Sequence, residues 1–126
     1  GDLKNARVPL AWAAEKANDP ALRGLARLRL ATVMLDEKAY DQALGQLSGA
    51  SSLAFETRFQ DMRGDILVAQ GKKTEAVSAY RAALAKLSEL EKAGKSGGSG
   101  FESQGEANTV FRDLTNQKIE ALGGDQ

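Results

Sequence analysis

Apolar residues recur along most of the chain at three- and four-residue spacing, the period of an α-helix. Short polar or glycine-containing breaks separate the runs. Residues 3–17 predict a first helix, with Leu3, Leu10 and Ala14 at helical spacing and Ala11 and Trp12 beside them. Pro9 either kinks that helix or stands in its first turn. Asn18-Asp19-Pro20 is a stop-and-start signal, with Asp19 as N-cap and Pro20 at the first helical position. The second helix, 20–36, carries Leu22, Leu25, Ala26, Leu28, Leu30, Val33, Met34 and Leu35. It is apolar on more than one face, as a helix buried between neighbours is.

A third helix is expected over 39–49, with Tyr40, Ala43, Leu44 and Leu47 inward. The segment Ser48–Ser52 ends it and caps a fourth, over 53–70, whose stripe is Phe55, Phe59, Met62, Ile66 and Ala69. Gln70-Gly71-Lys72 is a turn in which Gly71 takes positive φ, and Thr74 is the expected cap of the next helix. The fifth helix covers 74–92, with Ala76, Val77, Tyr80, Ala83, Leu84 and Leu87. Residues 94–100, rich in Gly and Ser, predict a flexible loop. A sixth helix follows over 103–122, with Ala107, Val110, Phe111, Leu114 and Leu122 mostly on one side, and Gly123-Gly124 ends it.

The chain also resembles itself. Ala31, Met34, Ala43, Leu47 and Ala50 align with Gly64, Leu67, Ala76, Tyr80 and Ala83 at a constant offset of 33. A tetratricopeptide unit is about 34 residues long. In such a unit a small residue on helix A faces a small residue on helix B, and a large residue after it fills the gap to the next unit. The pattern predicts an all-α, tetratricopeptide-like right-handed solenoid of two full repeats. A single helix flanks it at each end, closing apolar faces that two units alone leave open.

Composition narrows the chemistry. The 126 residues predict a single domain, 1–126. There is no Cys and no His, which removes thiol nucleophiles, Cys/His metal sites and the commonest acid–base side chain. Lys+Arg and Asp+Glu both number 17, so no bulk positive field draws nucleic acid. No apolar run approaches the ~20 residues that span a bilayer. The first residues are Gly1-Asp2 rather than Met, so a native start, with any signal or anchor, is expected upstream. The Gly-rich 94–100 lacks the Gly-Lys-Ser/Thr arrangement of a phosphate-binding loop. No catalytic set, metal site or cofactor site is expected.

Leu28-Arg29-Leu30-Ala31, Tyr40-Asp41-Gln42-Ala43-Leu44, Asp61-Met62-Arg63-Gly64-Asp65, Gly71–Ala76 and the closing Gln117–Leu122 resemble the C-terminal domain of the YfgM family. The resemblance covers about 20–92 and 107–122. It implies a bacterial inner-membrane protein with one N-terminal transmembrane helix and a periplasmic repeat domain. It also implies association with the SecYEG translocon and the chaperone PpiD, in assistance to exported proteins. The 94–100 insertion departs from the shorter connection of that family. A soluble cytosolic adaptor of the same fold is the alternative.

Stacked repeats align their A helices along a concave face. Counted from the small anchors, the inward positions are Leu25, Leu28, Thr32 and Asp36 in the first unit, and Arg58, Asp61, Asp65 and Val68 in the second. Mixed apolar and charged groups suit a peptide or protein ligand. The Lys/Asn clamp by which some tetratricopeptide domains hold a C-terminal carboxylate is missing, its positions being Leu28, Thr32 and Met62. Asp61 and Asp65 are expected to pair with Arg58 and Arg63. Arg23, Arg27 and Arg29 read as a solvated face, and Trp12 as packed against the second helix.

Overall fold

The computed structural model describes the backbone of residues 2–50, 52–97 and 101–124, and the side chains of 6–50, 52–94 and 105–124. The described chain is six helices: α1 (Asp2–Lys16), α2 (Pro20–Asp36), α3 (Tyr40–Gly45), α4 (Leu53–Ala69), α5 (Lys73–Gly97) and α6 (Phe101–Ala121). Each of α2–α6 packs on the helix before it, and α2 also touches α4, which brings the A helices of the two units together. The α4–α5 contact is the most extensive and α1–α2 the next. The core falls into two clusters along the chain. Leu30, Ala31, Met34, Ala43, Leu47, Phe59 and Ile66, with Ala14 of α1, fill the first. Leu67, Ala76, Val77, Ala79 and Tyr80, with Ile119 of α6, fill the second.

The helix ends follow from local chemistry. The Asp19 carboxylate accepts the Ala21 amide at 2.9 Å, with Pro20 in the first turn of α2. The Ser52 hydroxyl accepts the Phe55 amide at 3.2 Å and caps α4. Two helices end in the same left-handed cap, 33 residues apart. After α4, Gly71 (φ 78°) lets its own amide reach the Val68 carbonyl and the Lys72 amide reach Leu67, both at 2.9 Å. After α2, Lys38 occupies the same position at φ 63°, and Ala39 bonds back to Met34 at 2.8 Å.

Several expectations are corrected. The third helix stops at Gly45, four residues early. The carbonyls just beyond it are taken by side chains: the Arg63 guanidinium donates to Leu47 O at 3.3 Å and Arg27 to Ser48 O at 2.8 Å, while Gly49 turns at φ 73°. Thr74 lies inside α5, which starts one residue earlier, and is not its cap. The helix of α5 runs on to Gly97 through the first residues of the expected 94–100 loop; the rest of that segment lies outside the described residues. Strong helix formers from Glu89 to Ala93 carry the ladder across the glycines. The first helix spans Pro9 rather than starting there. Trp12 does not pack on α2; it is 64% exposed, next to Val8 at 74% one turn away. On α6 the buried residues are Thr115 and Ile119, whereas Val110 and Leu114 face solvent.

Candidate protein-binding face

The small residues do what the repeat requires. Ala31, Ala43 and Ala76 are fully buried, and Gly64 is covered by the ring of Tyr80. A Cβ on Gly64 would lie 2.4 Å from Tyr80 Cε1, closer than any real contact. Gly24 plays the same part between units: its Cβ would meet the Phe55 ring at 2.9 Å, so α2 and α4 approach through a glycine. Gly24 stands seven residues before Ala31 on the same face of α2, a spacing that marks it as a second small contact position.

The eight inward positions divide into two groups. Leu25 and Leu28 are half-buried, and Leu28 packs on the first core cluster. Thr32 and Asp36 are exposed, with the Thr32 hydroxyl donating to Leu28 O of its own helix. Arg58 and Val68 are also exposed. Asp61 and Asp65 are not open in this way. The Lys118 ammonium of α6 lies 3.1 Å from Asp61 Oδ2 and 3.1 Å from Asp65 Oδ1. The Thr115 hydroxyl hydrogen-bonds Asp61 at 3.2 Å, and the Tyr80 hydroxyl donates to Asp65 at 2.6 Å. Lys118 also stands over the Tyr80 ring, 5.4 Å from its centroid.

The expected partners, Arg58 and Arg63, are therefore not those found. Arg63 serves the turn after α3 instead. The signal that identifies Lys118 is its place between Thr115 and Leu122 on the inward stripe of α6, where a lysine demands a counter-charge. Arg23 and Arg27 likewise depart from a solvated face: Arg23 donates to Ala17 O at 2.6 Å and Asn18 O at 3.2 Å, tying the α1–α2 turn.

Electrostatics follow from this packing. Burial pushes the Asp61 carboxyl above its ordinary value; Lys118 opposes the shift and Asp65 adds to it. Burial disfavours the Lys118 charge, but Asp61 and Asp65 together more than offset it, so its pKa stands above that of a free lysine. The Tyr80 phenol is pushed far up, by burial first and then by its bond to Asp65. Among the described residues, no group of three or more carboxylates is placed to hold a metal ion.

A cavity of about 370 Å³ opens where α4, the later turns of α5 and α6 meet. Its walls are Phe55, Leu87, Leu90 and Phe111, and its polar groups include Arg58 and Asn108. A shallower depression of about 510 Å³ lies among α3, α4 and α5, beside Leu44, Arg63 and Ala79.

Antiparallel helix pairs that meet through small residues at a 33-residue offset define a helical-repeat protein of the tetratricopeptide class. The family model described as a tetratricopeptide repeat-like domain matches residues 1–96, and the chain belongs to that family. The "Ancillary SecYEG translocon subunit" of Neisseria gonorrhoeae is 35% identical to it over 78 residues, 62% of this chain and 37% of that protein. The chain thus spans little more than a third of the length of this curated relative. That likeness bears out the YfgM-type resemblance of the sequence motifs. No solved structure matches the chain significantly. No described helix is long and apolar enough to cross a membrane.

Proposed function

We propose that this domain is a non-catalytic protein-binding module of an ancillary translocon subunit. In this reading it is held at the periplasmic face of a bacterial inner membrane and attends proteins as they emerge. The observation that carries the reading is the 35% identity to an ancillary SecYEG translocon subunit, which falls on a chain built of interaction repeats. The translocon is the assembly partner, and PpiD is the chaperone partner that the family resemblance suggests. The ligand-binding surface is the inner face of the A helices: Leu25, Leu28, Thr32 and Asp36 on α2, with Arg58 and Val68 on α4. Asp61 and Asp65 shape that face by holding α6 in place through Lys118.

Isolation of the SecYEG complex from native membranes in mild detergent tests the assignment. The intact protein co-purifies with the translocon and fractionates with membranes, and its domain is digested by protease added to spheroplasts. Recovery in the soluble cytosolic fraction, free of translocon, contradicts it.

A further inference from the structure

We propose that the cavity between α4, α5 and α6 is a peptide subsite for a large apolar side chain lying next to a carboxylate. The proposal rests on the protein-binding reading above and specifies the ligand for one part of that face.

The argument starts from shape. About 370 Å³ is near the small end of ligand pockets and holds one or two large side chains, not a folded surface. Its walls are aromatic and aliphatic: Phe55, Leu87, Leu90 and Phe111. The Phe55 wall is fixed in place, because one side of its ring lies against Gly24 and its centroid is 6.2 Å from that of Phe59. Leu87 forms a rigid floor, being 2% exposed. An apolar side chain entering here meets Phe55 and Leu87 already held by their own packing, which lowers the cost of binding.

Charge then selects the neighbour of that side chain. Arg58 is the one charged residue lining the cavity among the described residues. The charges around it are already matched: Lys86 pairs with Glu56 at 3.5 Å and with Glu89 at 3.7 Å, and Arg112 pairs with Glu91. With Lys86, Arg112 and Arg58 against Glu56, Glu89 and Glu91 the rim is neutral overall, and Arg58 is the charge that an entering peptide touches in the cavity wall itself. The guanidinium fork suits a carboxylate, which it binds through two parallel N–H bonds. Asn108 offers an amide donor and acceptor for the peptide backbone on the opposite wall. A basic residue beside the apolar anchor would be repelled.

The test is fluorescence anisotropy with three labelled peptides, Ser-Gly-Ser-Phe-Glu-Ser-Gly and its Glu→Gln and Glu→Lys forms. Carboxymethylated α-lactalbumin, an unfolded chain, is measured in parallel. The Glu peptide binds best, the Gln peptide about tenfold more weakly through loss of a charge-assisted hydrogen bond, and the Lys peptide more weakly still. Arg58→Glu reverses the order in favour of Lys, and Arg58→Lys retains the preference for Glu. If the unfolded chain binds but the three peptides do not differ, or Arg58→Glu leaves their order unchanged, the subsite is wrong and the protein-binding reading stands. If neither the peptides nor the unfolded chain binds, both fail.

Discussion

The ring of Tyr80 rests directly on the backbone of Gly64, leaving no room for even a methyl group between α4 and α5. The contact joins the small anchor of one helix to the large residue of the next, and it also aims the Tyr80 hydroxyl at Asp65. Gly64→Ala is expected to destabilise the domain by about 2 kcal/mol, because overpacking outweighs the gain in helix propensity. Urea unfolding measures it. Adding Tyr80→Leu, which frees the space, should recover part of the loss, so that the two changes together cost less than their sum. A Gly64→Ala protein as stable as the parent contradicts the close approach.

The two left-handed caps make opposite predictions. Gly71→Ala places a side chain at φ 78° and should cost about 1 kcal/mol. Lys38→Gly relieves the same strain at φ 63° and should raise stability by about 0.5 kcal/mol, the gain being reduced by the greater entropy of an unfolded glycine. Thermal unfolding of the two variants should move the midpoint in opposite directions.

Trp12 is the single tryptophan and lies mostly in water. Its emission in the folded protein should stand close to that of free tryptophan, shift little on unfolding in urea, and be quenched readily by iodide. Trp12→Ala should change stability by less than about 0.5 kcal/mol. A blue-shifted emission that moves red on unfolding would return Trp12 to the α1–α2 interface.

The Lys118 cluster makes stability depend on pH in two windows. Lys118 has a folded pKa above 10.5, so its contribution is complete below about pH 10.5 and disappears as pH rises through the folded value. Comparing the parent with Lys118→Met, the stability difference should be large at pH 8 and shrink above pH 10.5. Asp61 behaves differently. Its carboxyl is raised from 3.8 on folding, chiefly by burial, so the folded state holds its proton more tightly and stability falls as pH rises from 3.8 through the folded value. Asp61→Asn should therefore remove that decline and leave stability at pH 7 unchanged or higher. Tyr80, also raised, should ionise only as the protein unfolds in alkali; the late absorbance change should vanish in Tyr80→Phe.

Much of this architecture was legible in the sequence because local signals agreed. Asp19-Pro20 fixed the start of α2, Gly71 fixed the turn before α5, and the offset from Ala31 to Gly64 identified the repeat. Less was legible where a distant partner decides. Apolar count alone turned α6 toward Val110 and Leu114, but two carboxylates and a phenol on α4 and α5 draw Thr115 and Lys118 inward. The turn after α3 is held by arginines 16 and 21 residues from the carbonyls they bind, which no periodicity encodes. Trp12 is expected to pack against the second helix, whereas the α1–α2 contact is made by Leu10, Ala13 and Ala14. Of the expected inward face, Thr32 and Asp36 on α2 are exposed, whereas Asp61 and Asp65 on α4 are engaged by Lys118, a partner that no spacing within α4 announces.

Photocrosslinking from single positions tests most directly whether the inner face binds proteins. A photoreactive residue at Thr32 or Arg58 of the intact protein, irradiated in cell membranes, should capture protein partners, while one at Ala85 on the exposed side of α5 should not. Capture at Ala85 with none at Thr32 or Arg58 would contradict the account.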